Sequence, residues 1–213
     1  MSDPRESETT RAIWQHITNL HYLWQSFRAL FAKNEEQVVA LNRMAPAFFE
    51  LVQRLLIRDL YAGISALTDP SEMGGRDNLV IDRLLEEPTL TGHTELLDKL
   101  RIQISEAHEA SERFRTHRNK IIAHFDLSHA LGKADPLPTV QFEDVQRVLD
   151  AFAGAYNTML SVDGGNAFFN QITDHGGADA IAELVVKAWK DRRADLKAKM
   201  EKYGWTDFPL DEA

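Results

Sequence analysis

Apolar residues recur at spacings of three and four along nearly the whole chain, and no stretch alternates well enough to predict a strand. The pattern predicts an all-α protein. A first helix is expected from Thr9 or Thr10, with Ile13, Ile17, Leu20, Trp24, Phe27 and Phe31 on one side. Asn34, followed three residues later by Gln37, resembles a capping box and opens a second helix. Its expected buried stripe is Leu41, Met44, Phe48, Leu51, Leu55 and Ala62, with a bend at Pro46 and an end at Thr68-Asp69-Pro70. Ser71 to Asp77, with Gly74-Gly75, reads as a loop before a short helix through Leu85.

The clearest stripe follows. Leu97, Leu100, Ile104, Ala107, Ser111, Phe114, Arg118, Ile121 and Phe125 succeed one another without interruption, predicting one long helix from about Thr94 to Asp126. Gly132, Pro136 and Pro138 break the chain before a helix from about Gln141 to Val162 that carries Val145, Val148, Leu149, Phe152, Tyr156 and Leu160. Gly164-Gly165 ends it. An aromatic turn with Phe168, Phe169 and Ile172 leads through Gly176-Gly177 to a last helix, basic near its end. The expected architecture is a bundle of four main helices over residues 9–162, with residues 163–213 as a helical extension packing on it.

Composition narrows the chemistry. With 213 residues and 44% hydrophobic content, the chain can bury a core without disulfide or metal staples. Its lack of cysteine excludes thiol proteases, thiol redox enzymes, iron–sulfur proteins and zinc fingers, and fits a reducing cytosol. Residues 1–11 are polar, and charges interrupt every apolar run before about 18 residues. Neither secretion nor membrane spanning is expected, and the location expected is cytoplasmic. A formal charge of −9 argues against a protein that coats DNA, so DNA is not an expected ligand.

One local stretch runs against that balance. Between Arg113 and Lys120 the chain reads RFRTHRNK, with Arg113, Arg115, Arg118 and Lys120 and no acid. A charge run of this kind is ordinarily a solvated helix face. Arg118, however, occupies the seam where an aliphatic residue belongs, and a guanidinium there needs carboxylates, carbonyls or a phosphate. It marks an internal ion pair, with Asp59 as one candidate partner, an oligomer contact, or an anion site. His117 and His124 flank the seam on one side, Asn119 and Asp126 on the other. On an ideal helix Arg118 and His124 point about 120° apart, separated by about 9 Å along the axis. Either the arginine folds back, or a second copy of the same helix completes the site across a two-fold axis.

The string Arg118-Asn119-Lys120-Ile121-Ile122-Ala123-His124-Phe125-Asp126 resembles the signature of the HEPN superfamily: an arginine, a polar neighbour, and a histidine after a short gap. With the proline-containing loop and helix that follow, it is most similar to the abortive-infection branch. Arg58-Asp59-Leu60-Tyr61 through Leu67-Thr68-Asp69-Pro70, then Gly74-Gly75-Arg76-Asp77-Asn78-Leu79, also resembles that branch. The likeness covers residues 10–160 or so. It implies a HEPN-like bundle that dimerises so that two motifs share a cleft, with RNA as substrate and no metal or other cofactor. The implied activity is an endoribonuclease that leaves a 2′,3′-cyclic phosphate, serving as a toxin or phage-defence effector checked by an antitoxin. His124 would assist proton transfer, Arg118 would neutralise charge on phosphate oxygens, and Asn119 would orient the arginine or the phosphate. Arg113, Arg115, His117 and Lys120 would contact the RNA backbone, with Asp59 and Asp126 in support.

Other readings were open. A non-catalytic helical module that binds RNA or protein is the main alternative. A di-metal bundle would need paired Glu-x-x-His motifs, which the chain lacks. The glycine pairs lack the strand–turn–helix setting of a phosphate loop and read as turns. Trp14, Trp24 and Phe27 share a helical stripe and are expected in the core, while the basic residues of the last helix alternate with acids as on a solvated face.

Overall fold

The computed structural model describes residues 7–122, 127–169 and 177–204. Among them are seven α-helices: α1 (Glu8–Phe31), α2 (Glu35–Met44), α3 (Pro46–Leu67), α4 (Thr94–His117), α5 (Leu127–Ala130), α6 (Phe142–Leu160) and α7 (Ala178–Tyr203). The protein is all-α apart from a two-residue hairpin, Glu72–Met73 against Arg76–Asp77, paired antiparallel. Gly74 and Gly75 turn it at φ +62° and +74°, the left-handed geometry a tight hairpin needs. No helix among the described residues is long and apolar enough to cross a membrane.

The chain divides into two compact units, Met1–Leu23 with Arg58–Ile172, and Trp24–Ile57 with Thr173–Ala213. The continuous helices α1 and α3 each contribute residues to both units.

In the first unit α4 packs along α6. Leu100, Ile104, Ala107, Ser111 and Phe114 are the buried positions of α4, and Val145, Val148, Leu149, Phe152 and Tyr156 are among those of α6. These are the stripes that the periodicity predicted. The first turns of α1 lie close to α3 at Gly63, where an added Cβ would fall 2.7 Å from Leu20 Cδ2. His16 Nε2 donates to the Gly63 carbonyl at 3.0 Å across the same approach. Buried Glu87 accepts from the hydroxyls of Thr10 and, at 2.8 Å, Ser7, tying the start of α1 to a short 3-10 turn.

In the second unit α2 packs against α7, and Leu30, Leu41, Phe49 and Ala182 form a core with Val52, Leu56 and Val185 against it. Here the structure corrects the sequence reading. Pro46 does not bend one helix but starts a new one: α2 closes at Ala45, and Pro46 takes the first position of α3, where its missing N–H costs nothing. The break resets the register. Phe49 is buried, whereas Phe48, Leu51 and Leu55, expected inside, are 58%, 44% and 52% exposed. Trp14 is likewise exposed, while Trp24 and Phe27 are in the core. Asn34 does cap α2, accepting from the Gln37 backbone at 2.9 Å. The Gln37 side chain does not return the bond; it donates to the carbonyls of Ala29 and Leu30 at the end of α1.

Candidate functional site

The basic stretch lies where α4 ends. The expected helix keeps α geometry to His117 and continues as a π-helical segment, Arg118–Ile122. A π-turn takes up an extra residue, so the ideal-helix angle between Arg118 and positions beyond it no longer applies. His124 and Asp126 lie outside the described residues, as does Phe125 of the expected seam.

Arg118 is partly buried and ion-paired with Asp69, their side chains 21% and 16% exposed. Its Nη1 donates to Asp69 Oδ2, and its Nε donates to Asn119 Oδ1 at 3.1 Å. The partner is therefore not Asp59, which is exposed on α3. Asp69 sits two residues beyond the last residue of α3, in a turn held by the Thr68 N–H on the Ser65 carbonyl at 3.1 Å. The buried Thr68 hydroxyl also donates back to the carbonyls of Ile64 and Ser65, at 3.4 and 3.3 Å. Downstream, the Asn78 side chain donates to the Pro70 carbonyl at 2.7 Å, so the segment after Asp69 is tied as well.

Arg115 reaches the same turn. Its Nη2 donates to the Thr68 carbonyl at 2.8 Å, while its buried Nε has no acceptor among the described residues. Two guanidinium groups thus converge on consecutive residues, 68 and 69, which supply one carboxylate between them. A carbonyl at the end of a helix attracts cations, because the helix dipole is negative there. The remaining excess of positive charge and of N–H donors is what an anion requires.

The other expected RNA contacts are employed elsewhere. Arg113 pairs with Asp144 at 2.8 Å, and His117 Nε2 donates to the Pro138 carbonyl at 2.7 Å. Arg113 thereby holds α4 to the first turn of α6, and His117 holds it to the segment before α6. The Tyr61 ring packs edge-on to Phe114 and His117, with centroids 5.1 and 5.4 Å away. Burial, and then the Asp144 charge, push the Tyr61 phenol above its ordinary value. The Asp144 carboxyl is held below its ordinary value chiefly by the Gln141 N–H, with Arg113 adding to the effect. Asn119 and Lys120 are exposed.

Sequence reasoning missed Thr68 and Asp69 as site residues. The available signal was an acid placed just after a helix end, inside a segment already notable for its resemblance. One feature limits what else can bind. The open groove between α4 and α6, about 630 Å³, is lined by Glu106, Glu109, Glu112, Asp144 and Asp150 with only Arg113 and Arg147 opposing them, a poor surface for a polyanion. Among the described residues no group of three histidines or acids is placed to hold a metal ion.

The fold is an all-α domain with two arginines, Arg115 and Arg118, gathered at the end of α4, and the match to known families is more specific. Residues 7–162 match the HEPN family described as AbiU2, well over half of the chain, and the protein belongs to this abortive-infection family. No curated protein and no solved structure matches the chain.

Proposed function

We propose that this protein is a metal-independent endoribonuclease acting as an abortive-infection effector or toxin, with Arg118, Asn119 and His124 as its catalytic set. The observation that carries the reading is the convergence of Arg118 and Arg115 on one turn with a single acid between them. In the proposed reaction the ribose 2′-oxygen attacks the adjacent phosphorus and the 5′-oxygen leaves. His124 takes up the 2′-hydroxyl proton, the departing oxygen is protonated, and a 2′,3′-cyclic phosphate remains. Imidazole suits this task because its ordinary pKa lies near 6.5. Arg118 would stabilise charge that grows on the phosphate oxygens, and Asn119 would hold the guanidinium in place. Two copies of the chain would share the cleft, and an antitoxin protein would restrain it.

The test is incubation of the purified protein and its His124→Ala variant with mixed RNA in EDTA, followed by analysis of fragment ends. The expected result is cleavage to cyclic phosphate ends, reduced at least about 100-fold in the variant, as for loss of a general acid–base group. Equal behaviour of the two proteins counts against the reading. It would favour a non-catalytic RNA-binding or interaction module, a role consistent with Arg113 and His117 being spent on internal contacts.

A further inference from the structure

We propose that Asp69 is a positioning residue for Arg118, aiming its guanidinium at the scissile phosphate; the inference rests on the ribonuclease reading above. Arginine presents five N–H donors in a rigid plane. Asp69 accepts from Nη1 and Asn119 from Nε, so two of the three nitrogens are fixed from different edges. Two anchors on a planar group determine both its plane and its direction. Neither bond uses the third nitrogen, Nη2, which stays on the edge of the group away from these two anchors.

A purely structural ion pair would leave this arrangement unexplained. Partly buried arginines that serve only the fold saturate their donors, because each unmet one carries a desolvation cost. Among the described residues the buried Nε of Arg115, one turn earlier, has no acceptor, a cost that a pair serving only the fold would not carry. The anchor itself is firm. Asp69 stands on a turn closed by the Thr68 N–H and hydroxyl and fastened downstream by Asn78, which is the kind of support a preorganised group needs.

The carboxylate has a second, opposite consequence. It lies beside the place where a phosphate would sit and weakens the local attraction for RNA. Removing its charge therefore tightens RNA binding while releasing Arg118 from its orientation. A prop for the fold would lose binding and turnover together, and a carboxylate that merely competes with substrate would raise both when removed. The predicted separation of the two quantities is specific to positioning.

The experiment uses the full chain with a defined RNA oligonucleotide in EDTA, comparing wild type, Asp69→Asn and Asp69→Glu. Binding is followed separately with a 2′-O-methyl oligonucleotide, which lacks the attacking hydroxyl. For Asp69→Asn, kcat is expected to fall between about tenfold and 100-fold, as for a small misplacement of a catalytic group, while Kd for the analogue stays equal or decreases. Asp69→Glu, which keeps the charge, is expected to recover most of the turnover and the wild-type Kd. Unchanged kcat in both variants overturns the proposal, as does a rise in kcat, or a parallel loss of kcat and affinity. Should Asp69→Asn fail to fold, Asp69→Ala takes its place: a fall in kcat of at least about tenfold with unchanged melting and an equal or lower Kd supports positioning, and wild-type kcat overturns it. Wild-type protein that neither cuts nor binds RNA overturns the ribonuclease reading and this one with it. Cleavage that depends on His124 but is indifferent to position 69 overturns this one alone.

Discussion

Asp144 shows how one side chain can serve a helix and a neighbouring element at once. It accepts from the Gln141 N–H at 2.9 Å, completing a capping box at the start of α6, and it pairs with Arg113 of α4. Both contacts favour the ionised carboxylate, and its pKa in the fold lies below the ordinary value. A group with a depressed folded pKa contributes stability above its unfolded pKa, near 3.9, and that contribution disappears as pH falls through the folded value. Asp144→Asn is therefore expected to be less stable at pH 7 by about 1 kcal/mol, the usual size of a lost cap. Chemical denaturation at pH 7 and again near pH 3 checks the sign: the gap between variant and wild type must shrink on acidification. Residue identity made Arg118 conspicuous because it interrupts an apolar seam. Its partner was not legible, because Asp69 is 49 positions away and only chain packing brings the two together.

At the scale of elements, α1 comes close to α3 at Gly63, and the reason is the missing side chain. A Cβ there meets Leu20 Cδ2 at 2.7 Å and His16 Nε2 at 3.2 Å, and Leu20 is itself 1% exposed, so it has little room to yield. Gly63→Val is expected to cost about 1–3 kcal/mol, the usual range for overpacking, despite the gain in helix propensity over glycine. A shift of the urea midpoint at constant slope checks it; an unchanged midpoint would mean that the helices slide apart without loss. The helices themselves were largely legible. α1, α4 and α6 bury the stripes that their spacing marks, because one face of each is apolar and the rest is not. α3 was misread at its start for a definite reason. A proline cannot donate to the helix before it, so Pro46 opens a new helix, and Phe49, Val52 and Leu56 turn inward in place of their neighbours.

At the scale of the whole molecule, the proposed shared cleft requires two chains. Sedimentation is expected to give a species of twice the 24.2 kDa chain mass at micromolar concentration. A monomer throughout would leave the shared-cleft mechanism without support. Because local cations must attract RNA against a net charge of −9, binding should also weaken as salt is added.

The order of hydrophobic and polar residues by itself determined that the chain is helical, which faces of α1, α4 and α6 are buried, and that the RFRTHRNK stretch is chemically unusual. Those properties are local: a 3.6-residue period and a charge out of place are written within one or two turns. The resemblance to the abortive-infection HEPN proteins was also legible, since its motifs are contiguous, and the family match over residues 7–162 bears it out. Tertiary structure alone decided what each basic residue touches. It placed Arg113 on Asp144, His117 on the Pro138 carbonyl, and Arg115 and Arg118 on the turn after α3. It also gave two compact units that each draw on α1 and α3. These outcomes depend on contacts between residues tens of positions apart, where many acids could have answered one arginine and packing geometry selected among them.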